Sequence, residues 1–353
     1  MLLQGKRVLV TGGTGSLGKF LVRRLLSGQM GTPERVMVMS RDEGKQHDMR
    51  LSYQHRRVTT DEIIYENFRR SLQFIVGDVR SYADICSAVR DADVVINAAA
   101  LKQVPNCEYF PEQALATNCD GAVNIVRAIR EHRYGVETVV GVSTDKACKP
   151  INVMGMTKAL QERIFIAANV LNPDTRFVCV RYGNVMASRG SVIPLFFEQI
   201  RHGGPVTVTL PEMTRFLLSL DQAVDTVFAA LHSALRGEIL VPDAPAATMM
   251  NVAKAMIGDK DIKVEITGIR PGEKLHEIMV SDEECVHTVR RGDFFAIRPM
   301  LPELESAEQP AALSKEFSSA DTVLDLAGTI DLLSRHELLG DKLRLAEGGE
   351  LLR

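Results

Sequence analysis

Apolar, β-rich runs recur through the first half of the chain at RVLVTG, RVMVMS, LQFIVGD, DVVINAAA, ETVVGVST and RFVCVRYG. Runs of this kind read as strands buried on both faces. Amphipathic stretches such as KFLVRRLLSG and GAVNIVRAIREH lie between them and read as helices. Together they predict an α/β chain with a doubly wound parallel sheet over residues 1–183. After Gly183 the alternation gives way to glycine- and proline-punctuated segments, RGSVIPLF, HGGPVTVTLP and GIRPGEKLHE. These predict a smaller C-terminal lobe over residues 184–299 that closes on a ligand, with some segments returning to the first domain. From residue 300 to 353 a more acidic, irregular tail carries one expected helix within SSADTVLDLAGTIDLLSRH. The polar stretch from Arg41 to Ser71 is too long for an ordinary crossover loop, even allowing for its helix. It reads as a solvated helix with an insertion, or as an oligomer contact.

Composition narrows the class. The 353 residues are 45% hydrophobic, enough for a sizeable core without covalent staples. The net charge of −3, from 42 basic and 45 acidic residues, gives no global field for nucleic acid or an anionic membrane. Any anion must therefore be held locally. Cys86, Cys107, Cys119, Cys148, Cys179 and Cys285 are scattered with neither disulfide nor metal-ligand spacing, so they read as reduced, cytoplasmic thiols, and no metal is expected. MLLQGKRVLV runs directly into a strand, and no segment reaches about 18 uninterrupted apolar residues, so a soluble protein without a membrane partner is expected.

VLVTGGTGSLGKFLVRRLL sets Gly12, Gly15 and Gly18 between a strand and a helix starting near Ser16. That context predicts a dinucleotide: glycine lets the backbone approach a pyrophosphate, and a helix N-terminus offers free N–H groups and a partial positive charge. Thr11 and Leu17 flank the turn. The second strand ends in Ser40 and Arg41, with Lys45 following, where NAD-selective enzymes usually place an acid. A guanidinium there can form paired bonds with a 2′-phosphate, so NADP is favoured; Asp42 keeps NAD open. Asp78, followed by Val79, suits the adenine amino group, and the neighbouring Ser81 reads as a helix N-cap. Ala98, Ala99, Ala100 and Lys102 follow the fourth strand and are further cofactor candidates.

TGGTGSLG, NAAALKQVP, STDKA, GMTK, RYGNVMASRGSVIPLF, MTRF and RPGEKLHE occur in the order found in extended short-chain dehydrogenases/reductases, which have a Rossmann fold. More narrowly, they resemble the UDP-N-acetylglucosamine 4,6-dehydratases of bacterial polysaccharide biosynthesis, over roughly residues 3 to 284. Most short-chain dehydrogenases have Tyr-x-x-x-Lys; this chain has Met154-x-x-x-Lys158, as does a subset of these dehydratases. The resemblance implies hydride transfer from sugar carbon 4, loss of water across carbons 5 and 6, and hydride return to carbon 6. It assigns Asp145 to protonating the leaving hydroxyl, Lys146 to removing the carbon-5 proton and Lys158 to the nicotinamide ribose. Thr144 would hydrogen-bond the carbon-4 oxygen, and water or a ribose–lysine relay would take the proton a tyrosine normally accepts. Both main roles call for shifted pKa values, Asp145 raised and Lys146 lowered. Cys107 is either a buried small hydrophobe or a participant at carbon 5. Lys102 would contact cofactor or sugar, and Glu108 would assist proton handling.

The same resemblance implies a UDP-sugar partner. Asn184 would contact its diphosphate; Arg189 and Val192 fall in a segment that wraps the uracil; Arg215 and Arg270 would clamp phosphate, with Glu273 accepting from a ribose. A homo-oligomer, dimer or hexamer, is implied, as is inversion at carbon 5. A UDP-sugar 4-epimerase and a non-catalytic NADP-binding regulator are the competing readings.

Overall fold

The computed structural model describes residues 1–54, 62–188, 190–304, 307 and 309–340, and the backbone of Arg344–Leu345 and Leu351–Leu352. The first half runs β1 (Arg7–Thr11), α1 (Ser16–Leu26), β2 (Arg35–Ser40), α2 (Glu43–Gln54), α3 (Glu62–Ser71), β3 (Leu72–Val76), α4 (Tyr82–Val89), β4 (Val94–Asn97), α5 (Val104–Tyr109), α6 (Pro111–Leu115), α7 (Gly121–His132), β5 (Thr138–Val142), α8 (Val153–Leu171) and β6 (Arg176–Val180). The second half runs β7 (Asn184–Val185), α9 (Val192–Arg201), β8 (Val206–Val208), β9 (Thr214–Leu218), α10 (Leu220–Ser233), β10 (Ile239–Pro242), β11 (Ala246–Thr248), α11 (Met249–Ile257), β12 (Val264–Ile266), β13 (Ile278–Val280), α12 (Asp282–Cys285), β14 (Thr288–Arg291), β15 (Phe294–Ile297), β16 (Phe317–Ser318), β17 (Val323–Leu324) and α13 (Leu326–Arg335).

All six strands expected from the apolar runs form, and they lie parallel in one sheet. The whole sheet has the order β14-β15-β10-β6-β5-β4-β1-β2-β3. The order reverses between β1 and β4, and ligands of open α/β sheets bind at the carboxyl ends of the strands beside such a reversal. Val8, Leu9, Val10, Val95, Ile96, Val139 and Val140 are almost completely buried because helices cover both faces. Among the described residues no helix is long and apolar enough to cross a membrane.

The polar stretch after β2 contributes more to the core than its composition foretells. Met49 and Tyr53 of α2 and Phe68 of α3 are buried, and the Tyr53 and Phe68 rings stack with centroids 5.3 Å apart. Residues 55–61, within the expected insertion, lie outside the described ones.

Beyond residue 183 the chain both builds a second core and returns to the first. β10 adds to the main sheet parallel to β6, and the β14–β15 hairpin closes that edge antiparallel. A four-stranded sheet, β17-β11-β9-β7, is covered by a second apolar cluster that includes Phe196, Met213 and Val252. The tail joins both cores: β17 pairs with β11, and Leu332, Leu333 and Leu338 are buried in the second cluster, while β16 pairs with β13 and sets Phe317 in the main core.

Candidate active site

β1 hands over to α1 through a turn that starts at Gly12. Its φ is +68°, and a Cβ there would fall 2.8 Å from the Ala99 backbone, so glycine lets the turn lie against the loop after β4. A Cβ on Gly18 would come 2.5 Å from Gly13 Cα, so that glycine sets how closely α1 approaches the turn. Thr11 donates to Asn97 Oδ1 at 2.6 Å and accepts from the Ala99 amide at 3.4 Å, tying β1 to β4. Helix α1 begins at Ser16 directly after Gly15, with Leu17 packed on the core, and its amide N–H groups and positive dipole end lie at the sheet's reversal point. This surface, flanked by Ala98, Ala99 and Ala100 after β4, fits a dinucleotide pyrophosphate.

At the end of β2, Gln46 Nε2 donates to the Ser40 carbonyl and hydroxyl, both at 3.1 Å. Asp42, the acid that kept NAD open, caps α2: Oδ1 accepts the Lys45 amide at 3.0 Å, and Oδ2 pairs with Lys45 Nζ at 2.8 Å. The charge of Lys45 is therefore matched by its neighbour. Arg41 is half exposed, with Nη1 3.8 Å from Asp78 Oδ2. Asp78 accepts Arg80 Nε at 2.8 Å. Burial works to raise its carboxyl, but Arg80 holds it below the ordinary aspartate value. Val79 is buried beside Gly121, and Ser81 caps α4 by accepting the Asp84 amide.

β5 ends at Val142, and Thr144 caps a single 3-10 turn, Asp145–Ala147, so Asp145 and Lys146 stand just past the strand rather than at its end. Asp145 is fully buried. Its Oδ1 accepts Thr144 Oγ1 at 2.9 Å and Lys146 Nζ at 3.0 Å, while Oδ2 has no partner and faces Gly183, where a Cβ would lie 3.2 Å away. Burial raises its carboxyl above the ordinary aspartate value, the direction expected from the sequence.

Lys146 departs from expectation. Its Nζ also contacts Asn184 Oδ1 at 3.3 Å and Glu277 Oε1 at 3.2 Å. Burial is the strongest single influence and acts to lower the amine, but the Asp145 and Glu277 carboxylates together outweigh it and hold the amine above its ordinary value. The lowered lysine expected from desolvation is in fact Lys158. Burial brings its amine down to about 8. Its Nζ donates to the Val142 carbonyl at 2.5 Å and to Gln161 Oε1 at 2.6 Å.

Met154 lies one turn before Lys158 on α8 and packs with Cys107, Ala114, Leu101 and Val104 in a small apolar cluster. Burial, with a contribution from Glu108, pushes the Cys107 thiol up, and Sγ lies 3.7 Å from the Leu101 carbonyl, so the group stays a protonated thiol in an apolar setting. Glu108 Oε1 accepts the Val153 amide at 2.7 Å and anchors the start of α8. Lys102 is exposed on the loop after β4.

Asn184, at the start of β7, joins the reaction centre through Lys146. Val192 opens α9. Arg215 is buried in β9; its Nη1 donates to the Thr214 and Leu275 carbonyls at 2.7 and 3.1 Å, and Nε lies 3.7 Å from Glu277 Oε1. It neighbours Lys146 through the Glu277 carboxylate they share. Arg270 is exposed and shares a turn with Glu273, whose Oε2 accepts the Arg270 amide at 3.4 Å. Asn152 Nδ2 donates to the Gly272 carbonyl at 2.8 Å, bringing this turn to the start of α8. Arg189 lies outside the described residues. Sequence reasoning missed Glu277, which is 2% exposed with Oε2 unpartnered. The signal was present, since Glu277 ends the quoted segment RPGEKLHE.

Sheet order, glycine turn and reaction centre together define a Rossmann-type α/β protein of the extended short-chain dehydrogenase/reductase kind. The chain belongs to the polysaccharide biosynthesis protein family, whose model matches residues 8–299. It is 40% identical over 354 residues to a UDP-glucose 4-epimerase of Rickettsia typhi, covering 97% of this chain and 99% of that one. The X-ray structure of Pen from Bacillus thuringiensis superposes with a TM-score of 0.85 at 31% identity, covering 96% of this chain and all of that one. The dTDP-glucose 4,6-dehydratase DesIV from Streptomyces venezuelae, with NAD and TYD bound, shares the fold at a TM-score of 0.63 and 21% identity, covering 76% of this chain and 87% of that one.

Proposed function

We propose that this protein catalyses the NADP-dependent 4,6-dehydration of UDP-N-acetylglucosamine to a 4-keto-6-deoxy sugar nucleotide, with inversion at carbon 5. The observation that carries the reading is Asp145: a fully buried carboxyl, raised by burial, with one oxygen unpartnered and an amine alongside. A group in that state can deliver a proton at neutral pH, which loss of a carbon-6 hydroxyl needs and 4-epimerisation does not. Gly12, Gly15, Gly18 and the start of α1 would hold the pyrophosphate, Lys158 the nicotinamide ribose, and Arg41 a 2′-phosphate, since Asp42 is engaged in capping α2. The bound nicotinamide supplies hydride acceptance from carbon 4 and return to carbon 6.

Lys146 takes the carbon-5 proton from its neutral form. Oxidation at carbon 4 acidifies that proton, so a small neutral fraction is enough. Thr144 orients the carbon-4 oxygen. Met154 adds no proton of its own, and its thioether seals the apolar wall around Cys107. Asn184, Arg189, Val192, Arg215, Arg270 and Glu273 are assigned to the UDP-sugar side, with Arg215 acting through Glu277 and Lys146.

The second reading, 4-epimerisation, is favoured by the name carried by the Rickettsia relative. The two separate cleanly when the purified protein is incubated with UDP-N-acetylglucosamine in deuterated water and the products are followed by mass spectrometry. Dehydration removes the mass of one water and introduces solvent deuterium at carbon 5. A product of unchanged mass that separates chromatographically from the substrate and carries an inverted carbon 4 by proton NMR refutes the proposal in favour of epimerisation, and recovery of unaltered UDP-N-acetylglucosamine refutes it as well.

A further inference from the structure

Glu277 lies far from Lys146 in sequence, at the entry to β13, yet it contacts the reaction centre directly. Its Oε1 is 3.2 Å from Lys146 Nζ and 3.7 Å from Arg215 Nε, and its buried Oε2 has no partner. Lys146 Nζ is thus shared between Asp145 Oδ1 at 3.0 Å and Glu277 Oε1, and the second oxygens of both carboxyl groups are buried and unpartnered. Both buried carboxylates share this ammonium, but Arg215 stands beside Glu277, so the two are unequally compensated and the less compensated one more readily holds a proton.

We infer that Glu277 is the positioning residue of this pair: as the permanent counter-ion of Lys146 and Arg215, it leaves the shared proton on Asp145. This inference rests on the dehydratase reading and adds to it a residue that acts through Lys146 and Arg215. The surroundings distinguish the two acids. Glu277 faces three cations, Lys146, Arg215 and Lys274, and though burial works to raise it, they hold it below the ordinary glutamate value. Asp145 faces Lys146 and the repelling charge of Glu277. Lys274 itself is tied by its Nζ to the Cys148 carbonyl at 2.6 Å, and His276 Nδ1 bonds Thr214 Oγ1 at 2.7 Å, so both have partners other than Glu277.

The charge assignment makes a prediction that does not depend on which group titrates first. Removing the Glu277 charge takes a repelling neighbour from Asp145 and an attracting one from Lys146, so both groups lose protons more readily. The two belong to one coupled titration, and the rate profile reports the pair. In the full-length protein, Glu277→Gln is expected to move both limbs of the pH profile for water loss towards acid, by about one pH unit for a charge at this distance. Glu277→Asp, which keeps the charge, is expected to leave the limbs closer to the wild type. A lower profile with stationary limbs, or one displaced towards alkali, overturns the inference.

Infrared spectroscopy of the wild type gives a second reading that needs neither turnover nor a folded Glu277 variant. A buried carboxylic-acid carbonyl band at neutral pH should vanish in Asp145→Asn; its survival would put the proton on Glu277 and refute the assignment. If the wild type loses no water from the sugar nucleotide, the dehydratase reading fails, while the infrared result still decides the role of Glu277.

Discussion

Lys158 carries an amine into the interior beneath the end of β5, where the Val142 carbonyl and the Gln161 side chain receive it. Burial lowers it from 10.5 to about 8. Below the lower value folded and unfolded chains are both protonated, and the fold carries a cost of roughly 3 kcal/mol for the buried charge. Between about pH 8 and pH 10.5 the unfolded chain binds more protons than the native one, so stability contributed by this site rises with pH. Denaturant titrations of the cofactor-free protein and of Lys158→Met should therefore show the difference in unfolding free energy shifting in favour of the wild type across that window. A difference that stays flat would refute the assignment. Its neighbour Met154 could be recognised in the sequence as a departure from Tyr-x-x-x-Lys. That the methionine closes an apolar cluster with Cys107 could not, because the partners come from different helices.

Between elements, several segments are tied together by Arg181, just past β6 and 1% exposed. It donates to both oxygens of Glu162 on α8, both oxygens of Glu284 on α12, and the Met279 carbonyl in β13, while Ser143 holds the same Glu162. Arg181→Met strands two buried carboxylates, and a loss of about 3–5 kcal/mol in unfolding free energy is expected. Adding Glu162→Gln and Glu284→Gln should recover much of it, as a thermal or urea melt would show. The parallel strands were legible in the chain because burial on both faces leaves continuous apolar runs. The glycine turn was legible because strand, turn and helix are contiguous. The Arg181–Glu284 pair and the Lys146–Glu277 contact join residues about 100 apart or more, and no local pattern announces them. The same distance explains why Lys146 was expected to be lowered: its environment contains a second carboxylate from another segment.

For the molecule as a whole, the tail is the instructive region. Its composition reads as irregular, yet β17 and α13 complete the second lobe and bury Leu332, Leu333 and Leu338, while β16 packs Phe317 into the main core. A chain ending after Met300 loses those three leucines and two strand pairings. Burying a leucine contributes about 1.5–3 kcal/mol, so the deletion removes several kcal/mol from one lobe. The expected result is a protein that still retains dinucleotide but no longer captures UDP-sugar, measured by calorimetric titration with each; undiminished sugar-nucleotide affinity would show the tail to be dispensable.

The return of β10, β14 and β15 to the main sheet has a mechanical corollary. The backbone passes back and forth between the two lobes, like stitching through two layers of cloth, so a protease cut in one exposed connection leaves the fragments clasped together. Any opening that admits a ligand must bend several crossings at once, which favours small sliding adjustments over a wide swing about one pivot.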